Sequence, residues 1–133
     1  MRRINMKRTI VTNNDYVRDK YKDDFDMIYV DKVDNYTGVL LKARDLIHEG
    51  YKLLTHPLSG SVKPNETPFK TIILEKGKGL DQDGLIILEE AIGTINKFLN
   101  IEKTPDYNER VIDDCKVIDL SIIDNTINLR SSI

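Results

Sequence analysis

Apolar positions change their spacing several times along the chain, and each change marks an element. Thr9, Ile10 and Val11 form a short β-branched run that closes in Thr12, Asn13, Asn14 and Asp15, which are capping and turn residues. This predicts a first strand feeding a helix over about 15–22, with Tyr16, Val17 and Tyr21 set among charges. Met27 to Val30 is a continuous apolar run, the pattern of a strand covered on both faces. Asp34, Asn35 and Thr37 offer capping oxygens ahead of Val39, Leu40, Ala43, Leu46 and Ile47, which make one apolar helical face ending at Gly50. Lys52 to Thr55 supplies a third strand, so this part reads β-α-β-α-β with connections long enough for right-handed parallel crossovers.

Thr71 to Leu74 is a fourth strand, halted by Lys76, Gly77, Lys78 and Gly79. No helix-length connection precedes it, which predicts antiparallel pairing at one edge of the sheet. After Asp81, the positions Leu85, Leu88, Ile92, Ile95 and Leu99 recur at steps of 3 and 4, the stripe of an amphipathic helix. In the tail, Val111, Cys115, Ile118 and Ile122 fit a helix, whereas 117–123 partly alternates like a strand. Helix is the better fit, broken near Asp119, which would cap a final segment. The expected fold is one three-layer Rossmann-like α/β domain over 1–133, with three mainly parallel strands, a fourth edge strand and a helical C-terminal third.

Composition narrows the class. A chain of 133 residues fits one domain, and 20 basic against 22 acidic residues exclude a generally basic nucleic-acid binder. The charge is unevenly placed: +4 in residues 1–8, neutral in 9–80, and −6 in 81–133. The first stretch (Arg2, Arg3, Lys7, Arg8) reads as a mobile basic tail and the last third as a solvated helix face. Nowhere do 18 apolar residues run together, and no apolar segment follows the N-terminal charges, so neither a membrane span nor a signal peptide is expected. One cysteine, Cys115, forms no internal disulfide, and with two histidines it makes no zinc site. These features place the protein in the cytoplasm, without a metal, cofactor, membrane or nucleic-acid partner.

Residues 56–69 break the pattern. They hold Pro57, Pro64 and Pro68, three of the four prolines, and a loop of more than about 12 residues inside a small domain is usually functional or disordered. Proline stiffness and the turn-forming Ser59, Gly60, Ser61, Asn65 and Thr67 favour a held shape. With strands 1–3 parallel, this loop leaves the same sheet edge as Asn13, Asn14 and Asp31, where open α/β sheets bind ligands. Ser59, Gly60 and Ser61 followed by Lys63 can form an anion nest, so Asn13, Asn14, His56, Ser59, Gly60, Ser61, Lys63 and Asn65 are candidate ligand residues for phosphate or a small anionic metabolite. P-loop and G-x-G-x-x-G spacings are absent. The alternative is a small enzyme in which His56 is the general acid or base, with Glu66 as its partner. His48, at the end of a helix, suits the dipole there better than catalysis.

The stretch Arg44 to Thr55 (RDLIHEGYKLLT), running directly into His56 to Pro68 (HPLSGSVKPNETP), resembles the GrdX family. The early strand ending Thr12-Asn13-Asn14 and a similar overall length support the resemblance over most of the chain. Members are small proteins encoded in the glycine, sarcosine and betaine reductase operons of amino-acid-fermenting anaerobes. The resemblance implies a context rather than a chemistry: a cytoplasmic accessory to a selenoprotein-containing system that turns glycine into acetyl phosphate, with a reductase component as a possible partner. Lacking a redox cysteine pair, the chain does not resemble the catalytic components themselves.

Overall fold

The structure, a computed structural model, describes residues 8–58 and 63–129. Its elements run β1 (Arg8–Thr12), α1 (Asp15–Tyr21), β2 (Asp26–Tyr29), α2 (Thr37–His48), β3 (Tyr51–Leu53), β4 (Thr71–Lys76), α3 (Gln82–Ile101) and α4 (Glu109–Leu129). One four-stranded sheet has the order β2-β1-β4-β3. Only β1 and β2 pair in parallel; β4 runs antiparallel to both of its neighbours, β1 and β3.

This arrangement overturns the expected Rossmann-like sheet of three mainly parallel strands with a fourth at the edge. The antiparallel sense of β4 follows from the lack of a crossover helix, but its place is central. The α2 crossover carries the chain from β2 past β1 and leaves a gap one strand wide before β3, and β4 fills it. Ile72, Ile73 and Leu74 are fully buried, as a strand covered on both faces and paired on both edges must be. Met27 to Tyr29, with a similarly apolar sequence, instead lies in an edge strand whose residues all stay partly exposed. At the other edge, β3 is three residues long and exposes Lys52, a charge suited to blunting an unpaired edge.

Side-chain alternation along the strands separates two cores. Val11, Ile72 and Leu74 face the helices α2 and α3, whose buried stripes include Leu40, Ala43, Ile47, Leu88 and Ile95. Ile10 and Ile73 face the other way, against Val17, Tyr21 and Phe25 and against Ile123 of α4. All five apolar residues named for α2 are buried, and the helix ends as expected at Gly50, whose φ of +101° gives the left-handed turn that favours glycine. Asp81 caps α3 through Gly84 N at 3.0 Å and also accepts from Leu53 N at 2.9 Å, tying the short β3 to the following helix.

α4 departs from expectation as well. It runs unbroken through Asp119, which caps no segment; Asp119 and Ile123 are the two residues of this helix that are buried. Of the basic N-terminal stretch, Arg8 begins β1 and the rest lies outside the described residues.

Candidate functional site

β1, β2 and β3 point the same way, so their carboxyl ends, the start of β4 and the 56–69 segment share one edge of the sheet. Thr12 and Thr71 are register partners there, and a chain of hydrogen bonds passes through them. Asn14 N donates to Thr12 Oγ1 at 3.0 Å, the two threonine hydroxyls lie 2.8 Å apart, and Thr71 Oγ1 donates to Asp119 Oδ2 at 2.8 Å. Either hydroxyl can donate in this pair, and Thr12 Oγ1 also lies 3.4 Å from its acceptor Lys70 O.

Asn13 and Asn14, both expected as ligand residues, have no exposed surface. Asn13 donates to Lys32 O at 3.0 Å and Pro68 O at 2.7 Å, and its Oδ1 accepts from Lys70 N at 3.1 Å. It thereby clamps the segment after β2 to the segment before β4. Asn14 caps α1 by accepting from Tyr16 N at 3.0 Å, and its Nδ2 donates to Lys116 O and Asp119 Oδ2, each at 3.0 Å. The structure therefore gives these two amides fully committed roles inside the edge, where they set the positions of the loops around them.

Two ionisable groups are buried beside them. Burial holds the Asp119 carboxyl above the usual carboxylate range, against the opposing pull of Asn14, Thr71 and Lys70. Burial likewise pushes the Lys70 ammonium down, with Asp119 pulling the other way, and Lys70 Nζ lies 5.3 Å from the centre of the Tyr36 ring. Sequence reasoning missed Thr12, Lys70, Thr71 and Asp119. The available signal was an acid in register with apolar neighbours, since Asp119, Ile123 and Ile127 repeat at steps of 4 on the inward face of α4.

In the described part of the 56–69 segment, Asn65 and Glu66 are tied to the α3–α4 connection, and the charged side chains face solvent. Asn65 Nδ2 donates to Glu102 O at 3.0 Å, and Tyr107 donates its hydroxyl proton to Glu66 O at 2.7 Å. His56, Lys63 and Glu66 are exposed. His56 Nδ1 accepts from Leu58 N at 3.1 Å, which leaves Nε2 for solvent or a partner. No hydrogen bond joins His56 to Glu66 among the described residues, so the arrangement lacks the base-and-orienter contact that acid–base work uses. Ser59, Gly60 and Ser61, the expected nest, lie outside the described residues.

A cleft of about 300 Å³ opens beside this segment. Its walls come from the β2–α2 connection at Val33, Asp34 and Asn35, from Pro68, and from the α3–α4 connection at 103–107. Among the described residues, no three His, Cys, Asp or Glu side chains gather as a metal site, and no helix is long and apolar enough to cross a membrane. Cys115 is partly buried, which raises its thiol above the ordinary cysteine range and away from nucleophilic use.

A model of the GrdX-like protein family matches residues 9–128, from the first strand to the end of α4. No curated protein and no solved structure matches the chain.

Proposed function

The chain belongs to the GrdX-like protein family, and from that membership we propose that it is a cytoplasmic accessory protein of the glycine, sarcosine and betaine reductase systems that acts by binding, through its 56–69 segment, to a reductase component. The observation that carries this reading is the division of labour within the segment. Asn13 and Tyr107 hold the carbonyls of Pro68 and Glu66 and the Asn65 side chain holds Glu102 O, while the imidazole of His56, the ammonium of Lys63 and the carboxylate of Glu66 face outward. Residues 63–69, tied down before contact, lose little entropy on binding, and loops on rigid scaffolds are where recognition concentrates. Small-molecule sites are concave, whereas these three side chains are displayed on the surface, so a protein surface suits them better than a free anion.

Binding of the purified chain to each purified reductase component, followed by calorimetry, tests the reading. One component is expected to bind, and the combined His56→Ala, Lys63→Ala, Glu66→Ala variant to bind it at least tenfold more weakly with unchanged thermal stability. Wild-type chain that binds none of the components, or a variant that binds as tightly as wild type, would refute the assignment. A rise in melting temperature with phosphate that Lys63→Ala abolishes, in the absence of any component binding, would instead favour an anion site.

A further inference from the structure

The cleft between the β2–α2 and α3–α4 connections shares no side chain with the His56, Lys63 and Glu66 surface, and its lining has a chemistry of its own. Its walls are cross-tied before any ligand arrives. Asn13 joins Lys32 O to Pro68 O, Asn65 holds Glu102 O, and Tyr107 holds Glu66 O, so all three connections that bound the cleft are braced. A site formed in advance spares the ordering cost of binding. Its volume sits at the low end of the range for small-molecule sites, which fits a small metabolite.

Three polar groups at this cleft have unused capacity. Thr104 is only 7% exposed, yet its Oγ1 has no hydrogen-bond partner among the described residues, a rare condition for a buried hydroxyl. Lys103 and Asp106 are exposed at the rim, and neither enters an ion pair among the described residues. The remaining charge, Asp34, is already matched by Lys32 at 3.2 Å. A ligand of one sign would satisfy Lys103 or Asp106 and be repelled by the other, whereas a ligand bearing both signs meets both. Val33, Leu99 and Ile112 provide apolar wall, and Val33 is 47% exposed, so a short aliphatic body would gain by covering it.

We propose that this cleft binds a small zwitterion of the α-amino-acid class, its carboxylate received by Lys103 and the Thr104 hydroxyl and its ammonium by Asp106. The site goes beyond the reading of the 56–69 surface and does not depend on it. Either can fail while the other stands.

Calorimetric titration of the full chain with L-alanine, L-valine and L-leucine, each beside its amide and its N-acetyl derivative, tests the proposal. At least one free amino acid is expected to bind, with its amide and its N-acetyl form each at least tenfold weaker. Lys103→Ala and Asp106→Ala are each expected to weaken binding about tenfold, as the loss of one charge-assisted hydrogen bond does. Thr104→Val keeps the side-chain shape and removes the unpartnered hydroxyl; it is expected to weaken binding about tenfold without lowering the ligand-free melting temperature. The proposal is overturned if no free amino acid binds, if the amide or the N-acetyl form binds as tightly as the parent, or if Thr104→Val binds normally.

Discussion

Asp119 shows how one residue sets the balance of this fold. Its carboxylate collects donors from the cap of α1, from β4 and, through charge, Lys70, yet it is buried, and burial outweighs those partners in raising its proton affinity. A carboxyl that holds its proton more tightly in the folded chain than in the unfolded one contributes stability that is fully present below its unfolded value. That contribution is lost as pH rises through the folded value. Urea midpoints of wild type and Asp119→Asn, measured from about pH 4 to pH 7, are expected to separate accordingly: wild type loses stability relative to the variant as pH rises. Asp119→Ala leaves Asn14 Nδ2 one acceptor short and Thr71 Oγ1 with no carboxylate to donate to, and is expected to cost about 1–3 kcal/mol at any pH in that range.

At the scale of the element, α4 is held differently from the other long helices. α2 and α3 each bury five residues, whereas α4 buries two in a similar or greater length. What binds it to α1 is a ladder of carboxylates: Asp113 accepts from the Tyr16 hydroxyl, Asp119 from Asn14, and Asp124 from the Tyr21 hydroxyl and from Lys20. Lys116 adds an ion pair to Asp15 at 2.9 Å. Apart from the buried Asn14–Asp119 bond these contacts are exposed or partly so and each worth little, and with only two buried residues α4 belongs to the low-stability end of the molecule. Native-state hydrogen exchange is expected to find α4 amides opening at lower free energy than those of α2 and α3; equal protection in all three would contradict this. The acidic C-terminal third, read from sequence as a solvated face, is therefore partly an attachment surface. Charge counts along a chain do not reveal which acids will meet tyrosines of a helix about a hundred residues away.

For the molecule as a whole, the helices and strands were legible because local spacing encodes them: the stripes of α2 and α3, the Gly50 terminus and the Asn14 cap need only neighbouring residues. Strand order was not legible. Met27 to Val30 and Thr71 to Leu74 are both short apolar runs, and which one lies at the centre depends on where the α2 crossover sets β3 down, a long-range choice that no window of sequence contains. The location of the candidate edge was readable from the direction of strands 1 and 3, but the inward commitment of Asn13 and Asn14 and the cleft beyond them were not, since both depend on residues brought in from 32–35, 68–71 and 103–119. The observed order carries its own test. Ile73→Ala in the central strand is expected to cost about 2–5 kcal/mol by chemical denaturation, and Met27→Ala at the partly exposed edge clearly less.

The insertion of β4 between β1 and β3 also bears on how the chain is made. During synthesis, β1, α1 and β2 emerge first, and β1 has its parallel partner at once, but its other edge has nothing to pair with until residues 71–76 leave the ribosome. Over that interval the nascent chain carries an open, β-branched strand edge of Thr9, Ile10 and Val11, the kind of surface that recruits neighbouring chains. Folding must then close contacts between residues some sixty positions apart before the sheet is whole, a loop-closure cost that the local contacts of the helices do not carry.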